Sequence, residues 1–111
     1  VAPLFYTENR SRLKEQVAAM TAIAASSSTE GVIEATKAMR DRQDRTHVLR
    51  NTALPVLFII GKQDTAVLLE KSLEQCHLPA HSTACFLDHN GHMGMFENPE
   101  ESVRIIERFL S

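Results

Sequence analysis

Apolar positions in the first half of the chain recur at helical spacing. Leu13, Val17, Met20 and Ala24 follow at steps of four, three and four, one stripe of a 3.6-residue period. Ser26, Ser27, Ser28 and Thr29 then break the stripe and offer N-cap hydroxyls. A second helix is expected beyond them, with Val32, Thr36 and Met39 on one side, Ile33 beside them, and Glu34 and Lys37 outward. The polar run from Arg40 to Arg45 reads as a loop or short helical turn. At Leu54-Pro55 the character changes. Val56 to Ile60 is a continuous apolar run ended by Gly61, the pattern of a central parallel strand buried on both faces. Ala66 to Gln75 fits a helix carrying Leu69 and Leu73, and Thr83 to Leu87 reads as a second strand. Asn98, Pro99 and Glu101 open a last helix as N-cap, first residue and third residue. Its apolar face is Val103, Ile106 and Leu110, with Ile105 and Phe109 beside them. The predicted class is α/β, with two neighbouring parallel strands joined by a helical crossover.

Composition narrows the class without naming a function. The 111 residues suit one modest domain, and 43% hydrophobic with 23% charged residues is an ordinary globular mix. A net charge of −2 argues against a nucleic-acid binder, which needs a basic surface. The longest apolar run, Ala53 to Ile60, is too short to span a bilayer, so no membrane partner is expected. No charged-then-apolar signal segment is seen in these residues, so Cys76 and Cys85 are expected as free thiols and the location as cytoplasmic. No Met stands at position 1, and Val1 reads as an internal start.

In an open parallel sheet, functional groups gather beyond the carboxyl ends of the strands. Gly61-Lys62-Gln63-Asp64 follows the first strand, and Asp88-His89-Asn90-Gly91-His92 follows the second. With the strands side by side, an acid and an imidazole project from adjacent loops. A carboxylate on one ring nitrogen fixes the tautomer and frees the other nitrogen as a general base.

The stretches Pro55–Asp64 and His89–Glu100 resemble the C-terminal end of α/β-hydrolase-fold proteins. There an apolar strand leads into a Gly-x-x-Asp turn carrying the triad acid, a Gly-His pair supplies the histidine, and a Pro-Glu-x-apolar helix closes the chain. The resemblance implies Asp64 as acid and His92 as general base, in the chain order of that fold. It covers residues 54–110, and residues 1–53 are similar to the helical lid inserted before the acid-bearing strand. It further implies a nucleophile–His–acid, esterase-like reaction on a small molecule, with no cofactor. Met93, Met95 and Phe96 are candidates to line the substrate pocket. The sequence departs from the pattern at Leu68, where a proline is common. It carries no nucleophile elbow and no oxyanion loop, and Ser26 to Ser28 lack the flanking glycines and preceding strand. The chain is therefore expected to be part of a longer enzyme whose nucleophile, Ser or Asp, lies upstream, and to be inactive alone.

Two other readings compete. The fold piece could serve as a non-catalytic, self-associating interaction module, because a two-stranded sheet exposes apolar surface and an unpaired edge. Cys76, His77, His81, Cys85, His89 and His92 form a Cys/His-rich stretch that could bind zinc if four ligands converged. Spread over a helix end, two loops and a strand, they are expected to point apart, and no metal site is expected. His47 and His81 read as surface residues, Asp88 and His89 as loop scaffold or cleft rim, and Arg42 and Asp44 as weak candidates to face the cleft.

Overall fold

The computed structural model describes residues 1–111. Strand β1 (Val56–Gly61) and strand β2 (Ser82–Leu87) pair in parallel as neighbours, from Val56 opposite Ser82 to Gly61 opposite Leu87. Helix α4 (Leu69–Cys76) makes the crossover between them. Ahead of β1 the chain is helical: two 3₁₀ turns, Ala2–Leu4 and Thr7–Asn9, then α1 (Lys14–Ser26), α2 (Thr29–Asp41) and α3 (Thr46–Asn51). After β2 come a short helix α5 (Gly94–Glu97) and α6 (Pro99–Leu110). The class is mixed α/β, with six α-helices around a two-stranded parallel sheet. No helix is long and apolar enough to cross a membrane.

Local chemistry explains the boundaries. The Ser28 hydroxyl accepts from the Gly31 N–H at 3.0 Å and starts α2, while the Ser26 and Ser27 hydroxyls donate back to the Ile23 carbonyl. Asn98 caps α6 by accepting from the Glu101 N–H, with Pro99 in the first helical position. Helix α4 begins at Leu69 rather than Ala66. The Asp64 carboxylate takes the Ala66 and Val67 N–H groups at 2.8 and 2.9 Å, which holds residues 64–67 in a turn and delays the helix. Neither α3 nor the short helix α5 is marked by an apolar stripe or N-cap side chain in the sequence pattern.

The core is small, with 11 of 111 residues buried, so most of it can be named. Phe5, Leu13 and Met93 form one cluster, and Val17 and Met20 of the expected α1 stripe pack on it half-buried. Ala24, the fourth stripe residue, is exposed. Helices α2 and α3 bury no residue. Strand β1 also departs from the sequence expectation. Ile60 is buried, yet Ile59, which points to the opposite face, remains 36% exposed and borders an open cleft. A sequence suited to a two-sided environment meets it here on one side.

Candidate functional site

Hydrogen bonding between the strands continues past their carboxyl ends. The Lys62 N–H donates to the Leu87 carbonyl at 3.0 Å, and the Gln63 N–H donates to the Asn90 carbonyl at 2.9 Å. The loops after β1 and β2 are thus laced together, and Gly61 is what lets them close. A Cβ at Gly61 would lie 2.0 Å from the Gly91 carbonyl oxygen and 2.8 Å from that of Asn90. Its φ is not positive, so the glycine is required by close approach and not by backbone conformation.

This lacing brings Asp64 and His92, 28 residues apart, into contact. Asp64 Oδ2 lies 2.8 Å from His92 Nδ1. Oδ1 of the same carboxylate receives the Ala66 and Val67 N–H groups, so each oxygen has its own task. An ionised carboxylate only accepts, so the proton of this bond sits on Nδ1 and the neutral ring keeps a lone pair on Nε2. Nε2 makes no hydrogen bond within the chain. Burial opposes ionisation of Asp64, but the Val67 N–H, the His92 ring and the Ala66 N–H outweigh it, and the carboxyl titrates below its usual value. The Asp64 side chain is 11% exposed and that of His92 41%, a sheltered acid beside an accessible ring. Both border a cleft of about 360 Å³ whose wall includes Ile59, Val67, Met95 and Ile106.

The remaining candidates are placed as follows. Met95 borders the cleft, Phe96 packs tilted against Phe5 with ring centroids 6.5 Å apart, and Met93 is buried in the core cluster away from the cleft wall. Asp88 pairs with Lys62 at 2.7 Å, and the Lys62 ammonium sits 5.8 Å from the Phe86 ring centroid. That ammonium also holds the Asp88 carboxyl below its usual titration range. His89 contributes its carbonyl to Asn9, and Asp44 caps the turn into α3 by accepting the Thr46 N–H. His47 and His81 are exposed. Cys76 and Cys85 are free thiols, and no three His, Cys, Asp or Glu side chains converge to hold a metal ion.

Two contributors were missed by sequence reasoning. The segment from Val1 to Leu13 lies against both loops: the Leu4 carbonyl accepts the His92 N–H at 2.8 Å, and the Pro3 carbonyl accepts the hydroxyl of Thr65, next to Asp64, at 3.1 Å. The second is Glu97, 3% exposed. Its Oε1 accepts from the Tyr6 N–H at 2.7 Å and the Asn9 amide at 3.0 Å, and its Oε2 from the Met93 N–H at 3.1 Å. The Gly91 N–H is shared between both oxygens at 3.1 and 3.0 Å. Tyr6 and Asn9 lie 91 and 88 residues away in sequence, so no local pattern announces the cluster.

No protein-family model matches the chain, and no curated protein matches its sequence.

Proposed function

We propose that this chain supplies the acid and general base of an α/β-hydrolase-like enzyme acting by a nucleophile–His–acid mechanism on a small ester or related electrophile. The observation that carries the reading is the Asp64 Oδ2–His92 Nδ1 contact of 2.8 Å, with Nε2 unpaired on a ring that borders the cleft. Nε2 takes the proton of an attacking hydroxyl, and the adjacent carboxylate stabilises the imidazolium that forms. The same nitrogen then returns the proton to the leaving group. If the nucleophile is a carboxylate, Nε2 instead activates the water that cleaves the covalent ester.

Ser72 and Ser102 border the cleft, but neither stands on a strand-to-helix elbow between glycines, the setting the mechanism needs for its nucleophile. Ser102, beside the cleft, donates its hydroxyl to the Gly94 and Asn98 carbonyls, and no serine or cysteine is hydrogen-bonded to His92. The reading therefore places the nucleophile on polypeptide outside these 111 residues, with residues 1–53 as lid and 54–111 as the last part of the hydrolase domain. The test is the reading frame ahead of Val1 and its full translated product. A Gly-x-Ser-x-Gly or Gly-x-Asp-x-Gly elbow is expected there, and its central residue should be trapped covalently. A fluorophosphonate traps a serine; a haloalkane or epoxide traps an aspartate in the His92→Gln background, where hydrolysis of the ester stalls. A start codon directly before Val1, or no adduct on either residue, overturns the reading.

One observation favours a second property of the isolated chain. Ile59 is 36% exposed and Phe86 41%. Phe86 pairs in register with the neighbouring residue Ile60, so these two apolar side chains mark opposite faces of the sheet. Each strand also keeps one unpaired edge. Self-association covers both features. Sedimentation velocity is expected to show a mass that rises with concentration, and a monomer that persists at high concentration would refute it.

A further inference from the structure

The ring of His92 has one side-chain partner, Asp64, and it stands on a loop without regular secondary structure. A pairing distance of 2.8 Å across two loops therefore depends on what fixes the loop backbone. Three consecutive N–H groups bear on this, those of Gly91, His92 and Met93. The first and third donate to the Glu97 carboxylate, and the middle one donates to the Leu4 carbonyl. Donors are committed alternately to two sides, so the peptide planes flanking His92 cannot rotate without breaking a buried bond.

The chemistry of Glu97 shows why a carboxylate is needed. The Arg12 guanidinium donates to the Glu97 backbone carbonyl at 2.9 Å, but no Lys, Arg or His nitrogen lies within 4.0 Å of the carboxylate, so burial of the carboxylate is offset by the hydrogen bonds it accepts. Four donors converge on two oxygens, in bonds that a charged acceptor makes roughly twice as strong as neutral ones. An amide of the same shape fails in either orientation. Its NH₂ would face the Met93 and Gly91 N–H groups one way round, and those of Tyr6 and Asn9 the other.

We infer that Glu97 is the positioning residue for His92, a buried anion that holds the N–H groups of its two chain neighbours, Gly91 and Met93, and ties them to the Tyr6–Asn9 segment. The inference rests on the reading of His92 as general base for its functional meaning, and on the chain itself for its test. In the 111-residue chain labelled with ¹⁵N, the wild type is expected to show His92 with a protonated Nδ1 and a downfield Nδ1 proton from the bond to Asp64. Glu97→Gln is expected to lose that proton signal and to move Nδ1 to the shift of an unprotonated ring nitrogen. Amide exchange is read alongside. Gly91 and Met93 should lose protection while Ile60 and Cys85, whose N–H groups point between the paired strands, retain theirs. Asn9→Ala leaves the bonds to Gly91 and Met93 in place and is expected to keep the His92 signature.

An unchanged His92 signature in Glu97→Gln overturns the inference. So does loss of protection in the strands in step with the loop, which would make Glu97 a general core residue. Equal loss in Asn9→Ala also overturns it, by assigning the effect to the N-terminal segment. If Glu97→Gln behaves as expected but the full product forms no covalent adduct, positioning stands and the hydrolase reading falls.

Discussion

On the proposed function, turnover by the full translated product is expected to fall about 10⁴-fold when Asp64 is replaced by Asn, with substrate binding little changed. The reason lies in how the two carboxylate oxygens are used. Oδ1 is held by the Ala66 and Val67 N–H groups, so the carbonyl oxygen of an asparagine takes that place and its NH₂ lands on the Oδ2 side, 2.8 Å from His92 Nδ1. Facing a donor, Nδ1 must become the acceptor, and the proton moves to Nε2. The ring then presents N–H to the cleft and has no lone pair with which to take a proton. The fold survives because the substitution is isosteric and keeps the turn. Steady-state kcat and KM on the full product check this, and a loss of less than about tenfold would remove Asp64 from the acid role.

The same variant has an acid-stability signature. Asp64 titrates lower in the folded protein than the ordinary carboxyl value of about 3.9 expected when unfolded. It therefore resists protonation in the folded state, and the stability it contributes is complete above about pH 4. That contribution disappears as pH falls through the lower, folded value. Urea midpoints measured downward from pH 5 should decline more steeply in the wild type than in Asp64→Asn, which has no carboxyl there to protonate.

Gly61→Ala is expected to destabilise the chain by about 3 kcal/mol, the upper part of the usual range for overpacking. The added Cβ would sit 2.0 Å from the Gly91 carbonyl oxygen and 3.0 Å from its carbon. Both are backbone atoms, so no side-chain rotation relieves the clash. Gly91 cannot retreat freely either, since a Cβ on it would itself lie 2.8 Å from the Leu4 carbonyl oxygen and from the Tyr6 nitrogen. The three segments are stacked backbone on backbone, and the methyl group must force apart the loops that carry Asp64 and His92. The urea midpoint and slope measure the loss. A destabilisation below about 1 kcal/mol would mean that the loops approach less closely than described.

Much of the second half was legible because its signals are local. Val56 to Ile60 and Thr83 to Leu87 carry strand-forming residues bounded by glycine and polar turns, and both form the strands expected, one residue longer. Asn98, Pro99 and Glu101 mark the start of α6 within four residues, where capping is decided. Asp64 was harder to read, since a carboxylate after a strand can cap a turn or serve as a catalytic acid. The structure shows it capping the turn through one oxygen and binding His92 through the other.

The first half was less legible for the same physical reason. The α1 stripe indicated a helix, but its packing depends on Phe5 and Met93, which lie 88 positions apart. Glu97 reads as an ordinary surface residue until the Tyr6 and Asn9 donors are brought to it. The helix expected from Ala66 starts later because a side chain three residues ahead of Val67 claims the first free N–H groups.

The sequence by itself determined the two strands, the longer helices, the mixed α/β class, and the two loops in which an acid and an imidazole follow the strands. Propensity, capping and turn chemistry act over a few residues, so they are written locally. Only the tertiary structure decided that Asp64 and His92 meet at 2.8 Å, that Gly61 must be bare for the loops to close, and that Glu97 is buried against the histidine loop. Each of these depends on chain segments far apart in sequence approaching within hydrogen-bonding or van der Waals distance. That proximity is settled by packing, and no run of neighbouring residues records it.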